Sequence, residues 1–464
     1  MNNRIKNHEP RIRNQESRTT KNRYIKIGWL ILIFGLFVIN TNAQTTTDSL
    51  SLSQIINQIV QSHPSIKEAE EALNIADAKI GMAKAGYLPN VDASANYTRI
   101  YPVPEITFYG NKFQMAPANN YNAGVNVNQT VYDFGKTEKE VASEKENKNF
   151  TQQNIDQLKQ RISVSAINTF YTLGYLQDAI LIKQEEINTL NGHLEYVQKK
   201  RETGSATKYE ILSTQVRISN VESQKTDLET AHKVQSSVLN SLLGQPGKTP
   251  INVKKEIIVS LPDVISDSLV SYAISHRNEI KIAHEKETLA QLKYNVAKSQ
   301  NNPVIAVFAS GGVKDGYFPD NATEDAKTAL QKPKFNWAAG VGFKIPIFDG
   351  KRVKNSSLIA KSDIQNTSYE TDMAIRNISN EVLEAETNLD ASKKKINQFE
   401  MQLSQAKQAL FQAETNFKAG AITNLDLLDA TTSVSESQLL YLKSQIDYVA
   451  SIYKLKAAIG DKLY

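Results

Sequence analysis

The residues best spaced for chemistry are acids near the C-terminal end. Asp426 and Asp429 lie three apart, which puts both carboxylates on one face of a helix. Thr423-x-x-Asp426 also has the spacing of a helix capping box, and Thr207-x-x-Glu210 repeats it earlier in the chain. In that pattern a carboxylate binds backbone N–H groups at a helix start. Catalytic spacings are missing. His63, His193, His232, His276 and His284 form neither His-x-x-x-His nor His-Glu-x-x-His, and there is no Gly-x-Ser-x-Gly. Gly247-Lys248-Thr249 resembles the end of a phosphate loop, but Leu242 stands where that motif needs its first glycine and Pro250 disfavours the helix that should follow. With no cysteine in the chain, disulfides, thiolate metal sites, a Cys nucleophile and a lipidated Cys anchor are excluded. We expect no enzyme, no cofactor and no metal site.

The net charge of +5 over 464 residues could suggest a nucleic-acid partner, but its location argues otherwise. Residues 1–27 hold eight Lys/Arg and two Glu, a charge of +6, which leaves the rest of the chain at −1. Basic and acidic residues interleave along that remainder, which reads as a solvated face and not a nucleic-acid footprint. The basic stretch precedes the apolar run Gly28–Ile39 and the small-residue site Thr41-Asn42-Ala43. Residues 1–43 are therefore expected to be a Sec-type signal peptide, cleaved after Ala43 to leave Gln44 first. No run of even ten apolar residues occurs after Ala43. A membrane-spanning part of such a chain must be a β-barrel.

The rest of the chain reads as a tandem repeat. Gly204 to Leu212 lies over Gly420 to Leu428 at an offset of 216, and Asp133, Leu239 and Gly244 fall on Asp349, Leu455 and Gly460. At an offset of 214, Ile66, Ala76 and Pro89 fall on Ile280, Ala290 and Pro303. The expected copies are residues 44–250 and 251–464, each ordered helix, strand, strand, long helix, helix. No Gly or Pro interrupts Lys351–Ala419, and apolar residues recur every seven at Val382, Leu389, Ile396, Leu403, Leu410 and Phe417. The first copy has the same seam at Leu173, Ile180, Ile187 and Leu194. This is a coiled-coil pattern, on a helix roughly 100 Å long. Shorter helices are predicted after Gly204 and Gly420, and single helices near 55–86 and 267–300.

Alternation of outward and inward residues predicts strands at Gly124–Tyr132 and Trp337–Ile347, with less clear ones near Val91–Tyr101 and Ile305–Val313. About ten residues of alternation suits a transmembrane β-strand. The connections 102–120 and 314–334 are expected to be solvent-facing loops. Four strands cannot close a barrel, so the chain must assemble with itself. Two copies would supply eight strands and three copies twelve.

Several motifs then resemble the TolC-type outer-membrane efflux proteins across nearly the whole chain after Ala43. These are Ala85-Gly-Tyr-Leu-Pro89, Val131-Tyr-Asp-Phe-Gly135, Ile347-Phe-Asp-Gly350 and, most specifically, Phe417-Lys-Ala-Gly-Ala-Ile-Thr-Asn-Leu-Asp-Leu-Leu-Asp-Ala-Thr431. The resemblance implies a mainly α fold with a membrane β-barrel. Three copies would share a twelve-stranded barrel in the cell outer membrane above a periplasmic α-helical tunnel. It implies a passive export duct in a tripartite efflux or type I secretion system. The partners would be a periplasmic adaptor and an inner-membrane pump of RND, ABC or MFS type. Asp426 and Asp429 match the acids that ring the periplasmic aperture. Glu210, Phe417 and Ile422 match gate positions, and Gly204, Ser205, Ala206, Gly420 and Ala421 match the adaptor-contacting tips. Ile422 stands where the best-known member has an arginine that locks the closed state. Gathered in a narrow ring, the aspartates are expected to raise one another's pKa and attract cations. The alternative is a structural periplasmic coiled-coil or adaptor protein with no pore. Adaptors usually carry one long hairpin and a lipoyl-like domain, and the two strand-bearing repeats favour the duct.

Overall fold

The computed structural model describes residues 49–114, 118–254, 269–314 and 334–464, all within one unit, Ser49–Tyr464. The expected signal segment 1–43 and most of the 314–334 connection lie outside the described residues. The order is α1 (Leu52–Ser62), α2 (Pro64–Lys84), β1 (Asn90–Arg99), β2 (Glu105–Phe108), β3 (Asn111–Gln114), β4 (Asn119–Tyr132), α3 (Lys136–Glu202) and α4 (Lys208–Leu242). It continues with α5 (Leu269–His276), α6 (Asn278–Ser299), β5 (Val304–Lys314), β6 (Lys334–Lys344), α7 (Arg352–Lys418) and α8 (Asn424–Ile459).

The long helices α3 and α7 each run 67 residues. From Val382 to Phe417 the seam positions of α7 are buried or half-buried, while the residues between them are mostly exposed. The α7 seam packs against α8, and α8 also packs on α3. Each long helix starts at an aspartate that caps it. The Asp133 carboxylate accepts from the N–H of Gly135 at 3.1 Å, Lys136 at 3.1 Å and Thr137 at 2.8 Å. Asp349 accepts from the N–H of Val353 at 2.8 Å. Both satisfy backbone donors that have no partner inside the helix, which gives the two Asp-bearing motifs a structural reason.

The helices expected near 55–86 and 267–300 are each broken in two. Pro64 lacks an N–H and sits in the first turn of α2, so α1 cannot run through it. His63 caps the new start, its Nδ1 accepting from Ser65 N–H at 3.2 Å. In the second half Arg277 is the extended residue between α5 and α6. Its guanidinium donates to the carbonyls of Ala457 and Ala458 at 3.3 and 3.1 Å and pairs with Glu381 of α7 at 2.7 Å. These breaks let short helices turn their apolar sides inward. Leu52, Ile55, Ile59 and Ile66 pack with Phe170, Leu173 and Leu239 in one core. Leu269, Ala273 and Ile280 pack with Ile378, Val382 and Ile459 in another.

Four of the strands form one antiparallel sheet in the order β1-β4-β5-β6. β4 and β5 join the two halves, with a register shift between Thr130 and Tyr132. Gly312 allows their close approach, because a Cβ there would lie 2.4 Å from the Ala123 carbonyl oxygen. The outer strands β1 and β6 end the sheet. β4 begins at Asn119, five residues before the expected start, and its first ten residues pair with β1, from Asn90↔Asn128 to Arg99↔Asn119. β6 stops at Lys344, short of the expected Ile347, with Pro346 just beyond. The 102–120 connection contains a hairpin of its own, β2 paired with β3. On β6, Trp337 is 74% exposed, and Val341 and Phe343 on the same alternating set are exposed too.

Candidate functional site at the helical tip

The helices α3–α4 and α7–α8 each turn back through five residues, and the two turns are built alike. α3 ends with Ser205 N–H donating to Lys200 C=O at 2.8 Å and Gly204 at φ +77°; α7 ends with Ala421 N–H donating to Asn416 C=O at 2.8 Å and Gly420 at φ +75°. This left-handed conformation is open to glycine and closes the last helical turn. A capping threonine follows at once. Thr207 Oγ1 accepts from Glu210 N–H at 3.2 Å, while Glu210 Oε2 accepts from Thr207 N–H at 3.1 Å. Asp426 Oδ2 accepts from Thr423 N–H at 2.8 Å and from Thr423 Oγ1 at 2.7 Å. These hydrogen bonds hold the Asp426 carboxyl below the usual carboxylate range. Glu210 and Asp426 are therefore both caps, Asp426 solvent-exposed and Glu210 half-buried.

The other expected residues separate by burial. Phe417 is buried with Val197, Ala206 and Leu427, and Ile422 packs half-buried against the same cluster. Ala206 is only 8% exposed and faces this cluster, so it lies beneath the turn surface. Gly204, Ser205, Gly420 and Ala421 are exposed. Asp429 lies one turn past Asp426 on α8. Its Oδ1 accepts from Arg217 Nη2 of α4 at 2.5 Å.

Sequence reasoning missed three residues here. Asn424 is 5% exposed and joins the first half to the second. Its Nδ2 lies 3.4 Å from the Glu210 carbonyl and 3.3 Å from both Ser213 Oγ and Thr214 Oγ1, while its Oδ1 lies 2.6 Å from His193 Nε2. His193 also meets the Phe417 ring edge-on at 5.2 Å. Arg217 is the third. For Asn424 a signal was present, since a polar residue in a run of leucines at a helix start needs buried partners. Nothing near Arg217 in sequence marks its partner. Lys200 adds a cationic contact, its Nζ 5.1 Å from the Tyr196 ring centre and 5.3 Å from that of Phe417.

The tip thus presents fixed charge and tight backbone turns, and among the described residues no His, Cys, Asp or Glu group of three could hold a metal. The family model described as "Outer membrane efflux protein" matches residues 55–245 and 269–461. The "Outer membrane protein TolC" of Vibrio cholerae is 21% identical over 413 residues, covering 88% of this chain and 90% of that protein. The "Alkaline protease secretion protein AprF" of Pseudomonas aeruginosa is 19% identical over 387 residues, covering 82% of this chain and 78% of that one. Among solved structures, the outer membrane protein VceC of Vibrio cholerae aligns with a TM-score of 0.71 at 19% identity, over 88% of this chain and 96% of that one. CusC aligns with a TM-score of 0.72 at 17% identity, over 89% and 92%. At these identities the structural likeness is one of fold.

Proposed function

The chain belongs to the outer membrane efflux protein family, and we propose on that premise that three copies build one continuous export duct. The protein is an outer-membrane channel subunit for efflux or secretion. In the proposed trimer, the four-stranded sheets join edge to edge, β1 of one copy to β6 of the next, as a twelve-stranded barrel. The bundled helices below form the periplasmic tunnel. The observation that carries this reading is the sheet itself. Each of its two outer strands has one edge that pairs with nothing among the described residues, and open edges cannot face lipid. Exposed Trp337, Val341 and Phe343 give β6 a side suited to lipid.

The reading of residues 44–250 and 251–464 as duplicated halves is supported by the equal lengths of α3 and α7 and by their matched aspartate caps. At the tip, Asp426 and Asp429 line the aperture, with Glu210, Phe417 and Ile422 at the gate. The exposed turn residues Gly204, Ser205, Gly420 and Ala421 meet a periplasmic adaptor, which links the duct to an inner-membrane pump. With Ile422 at the lock position, the gate residues Ile422 and Phe417 share one apolar cluster.

Native mass measurement of detergent-purified protein, followed by planar-bilayer recording, tests the proposal. A conducting trimer of chains starting at Gln44 is expected. A monomer, or an oligomer that does not conduct, refutes it.

A further inference from the structure

Two acids were expected to charge the aperture, and the structure treats them differently. Asp426 takes its hydrogen bonds from Thr423, a neutral residue, and among the described residues no Lys or Arg pairs with it. Asp429 meets the Arg217 guanidinium at 2.5 Å. The pair bridges α4 of the first half and α8 of the second, residues 212 apart in sequence. An arginine keeps its charge at any working pH.

Pairing does not need burial to matter here. The Asp429 side chain is 60% exposed and that of Arg217 28%, so the bridge itself adds little stability. The potential in a narrow passage depends instead on the summed charge of its wall. Arg217 stands within a contact distance of Asp429 and cancels most of its field at any point farther away. Resting on the aperture reading above, we propose that Arg217 sets the ion selectivity of the pore. It compensates Asp429, which leaves Asp426 as the unbalanced member of the two aperture acids in each copy. Arg217 is a positioning and charge-balancing residue, and it leaves the cation preference of the aperture weaker than two free acids per copy would make it.

Reversal potentials in planar bilayers under a salt gradient test this on the purified oligomer. Arg217→Gln should raise the cation-over-anion permeability ratio several-fold, because it frees Asp429. Arg217→Gln combined with Asp429→Asn should return the ratio to the wild-type value, although the bridge is still absent. Arg217→Lys should match wild type. That pattern separates charge balance from a structural role, since a merely structural bridge is lost equally in the single and double variants. If Arg217→Gln leaves the ratio unchanged while Asp426→Asn lowers it, Arg217 lies outside the aperture field and the proposal fails alone. If Arg217→Lys behaves like Arg217→Gln, geometry and not charge is at work, and the proposal again fails. If Asp426→Asn, Asp429→Asn and Arg217→Gln all leave the ratio unchanged, the aperture assignment itself is wrong.

Discussion

Lys183 donates to Glu186 at 2.8 Å one helical turn away, and the two side chains sit almost wholly buried between α3 and α8. Lys183 also reaches Ser435 Oγ of α8 at 3.1 Å. Three residues on from the seam positions Leu173, Ile180, Ile187 and Leu194, α3 buries a second row, Leu176, Lys183, Leu190 and Val197, so the ion pair replaces one apolar layer of that row. The other Glu186 oxygen, Oε1, has no partner among the described residues.

Removing one member of such a pair strands the other. Lys183→Met should therefore destabilise the protein by about 3–5 kcal/mol, because it leaves a buried unpaired carboxylate. Lys183→Met with Glu186→Leu should recover most of that loss, since an apolar layer matches its neighbours. Thermal melts of the purified protein compare the three. If the double variant melts no higher than the single one, the pair stabilises beyond mutual neutralisation and this account is wrong.

The tip cap should show in the pH dependence of stability. Like charges in a ring were expected to raise the aspartate pKa values, but within one copy the Thr423 hydrogen bonds move Asp426 downward. A carboxyl more acidic folded than unfolded stabilises fully above its ordinary value near pH 3.9. That stabilisation fades as the pH falls through the depressed value. Thr423→Val should thus lower the Tm at neutral pH, with the gap from wild type narrowing in acid. A gap that widens below pH 4 contradicts the cap.

The β2–β3 hairpin lies in the connection proposed to face the cell exterior. Thr107 is exposed on β2, and the chain has no cysteine to give background. Thr107→Cys should react with an impermeant thiol reagent on intact cells. Labelling that requires a broken outer membrane would place the hairpin inside and reverse the topology.

The turn surface should mark the adaptor contact. A photo-crosslinking residue at Ser205 or Ala421, both exposed, is expected to capture a periplasmic adaptor. The same probe at Ala206 should capture little, because that position is buried. Strong capture at Ala206 and none at Ser205 or Ala421 would show that the exposed turns do not form the contact.

Local interactions made much of this protein legible. The seam from Val382 to Phe417 is written every seven residues, and any helix carrying it must bury that side. The capping boxes at Thr207 and Thr423 close within four residues, so their chemistry is complete in the sequence. The Pro64 break was readable in principle, because a proline N–H is absent whatever the fold. The break at Arg277 was not, since the carbonyls of Ala457 and Ala458 that hold it come from the other end of the second half.

Tertiary structure alone decided the charge at the tip. Asp429 and Arg217 are 212 residues apart, and Asn424 finds Ser213 and Thr214 across a similar distance. Spacing in sequence shows which face of a helix a residue occupies, and from it Asp426 and Asp429 looked equivalent. Which helix then packs on that face is set by the docking of α8 on α3, α4 and α7, and that docking brought a guanidinium to one aspartate and none to the other. The reason is range. Backbone geometry fixes neighbours within about a turn of helix, whereas pairing between hairpins is fixed by burial of whole apolar seams, and the polar residues beside those seams meet whatever partner that burial delivers.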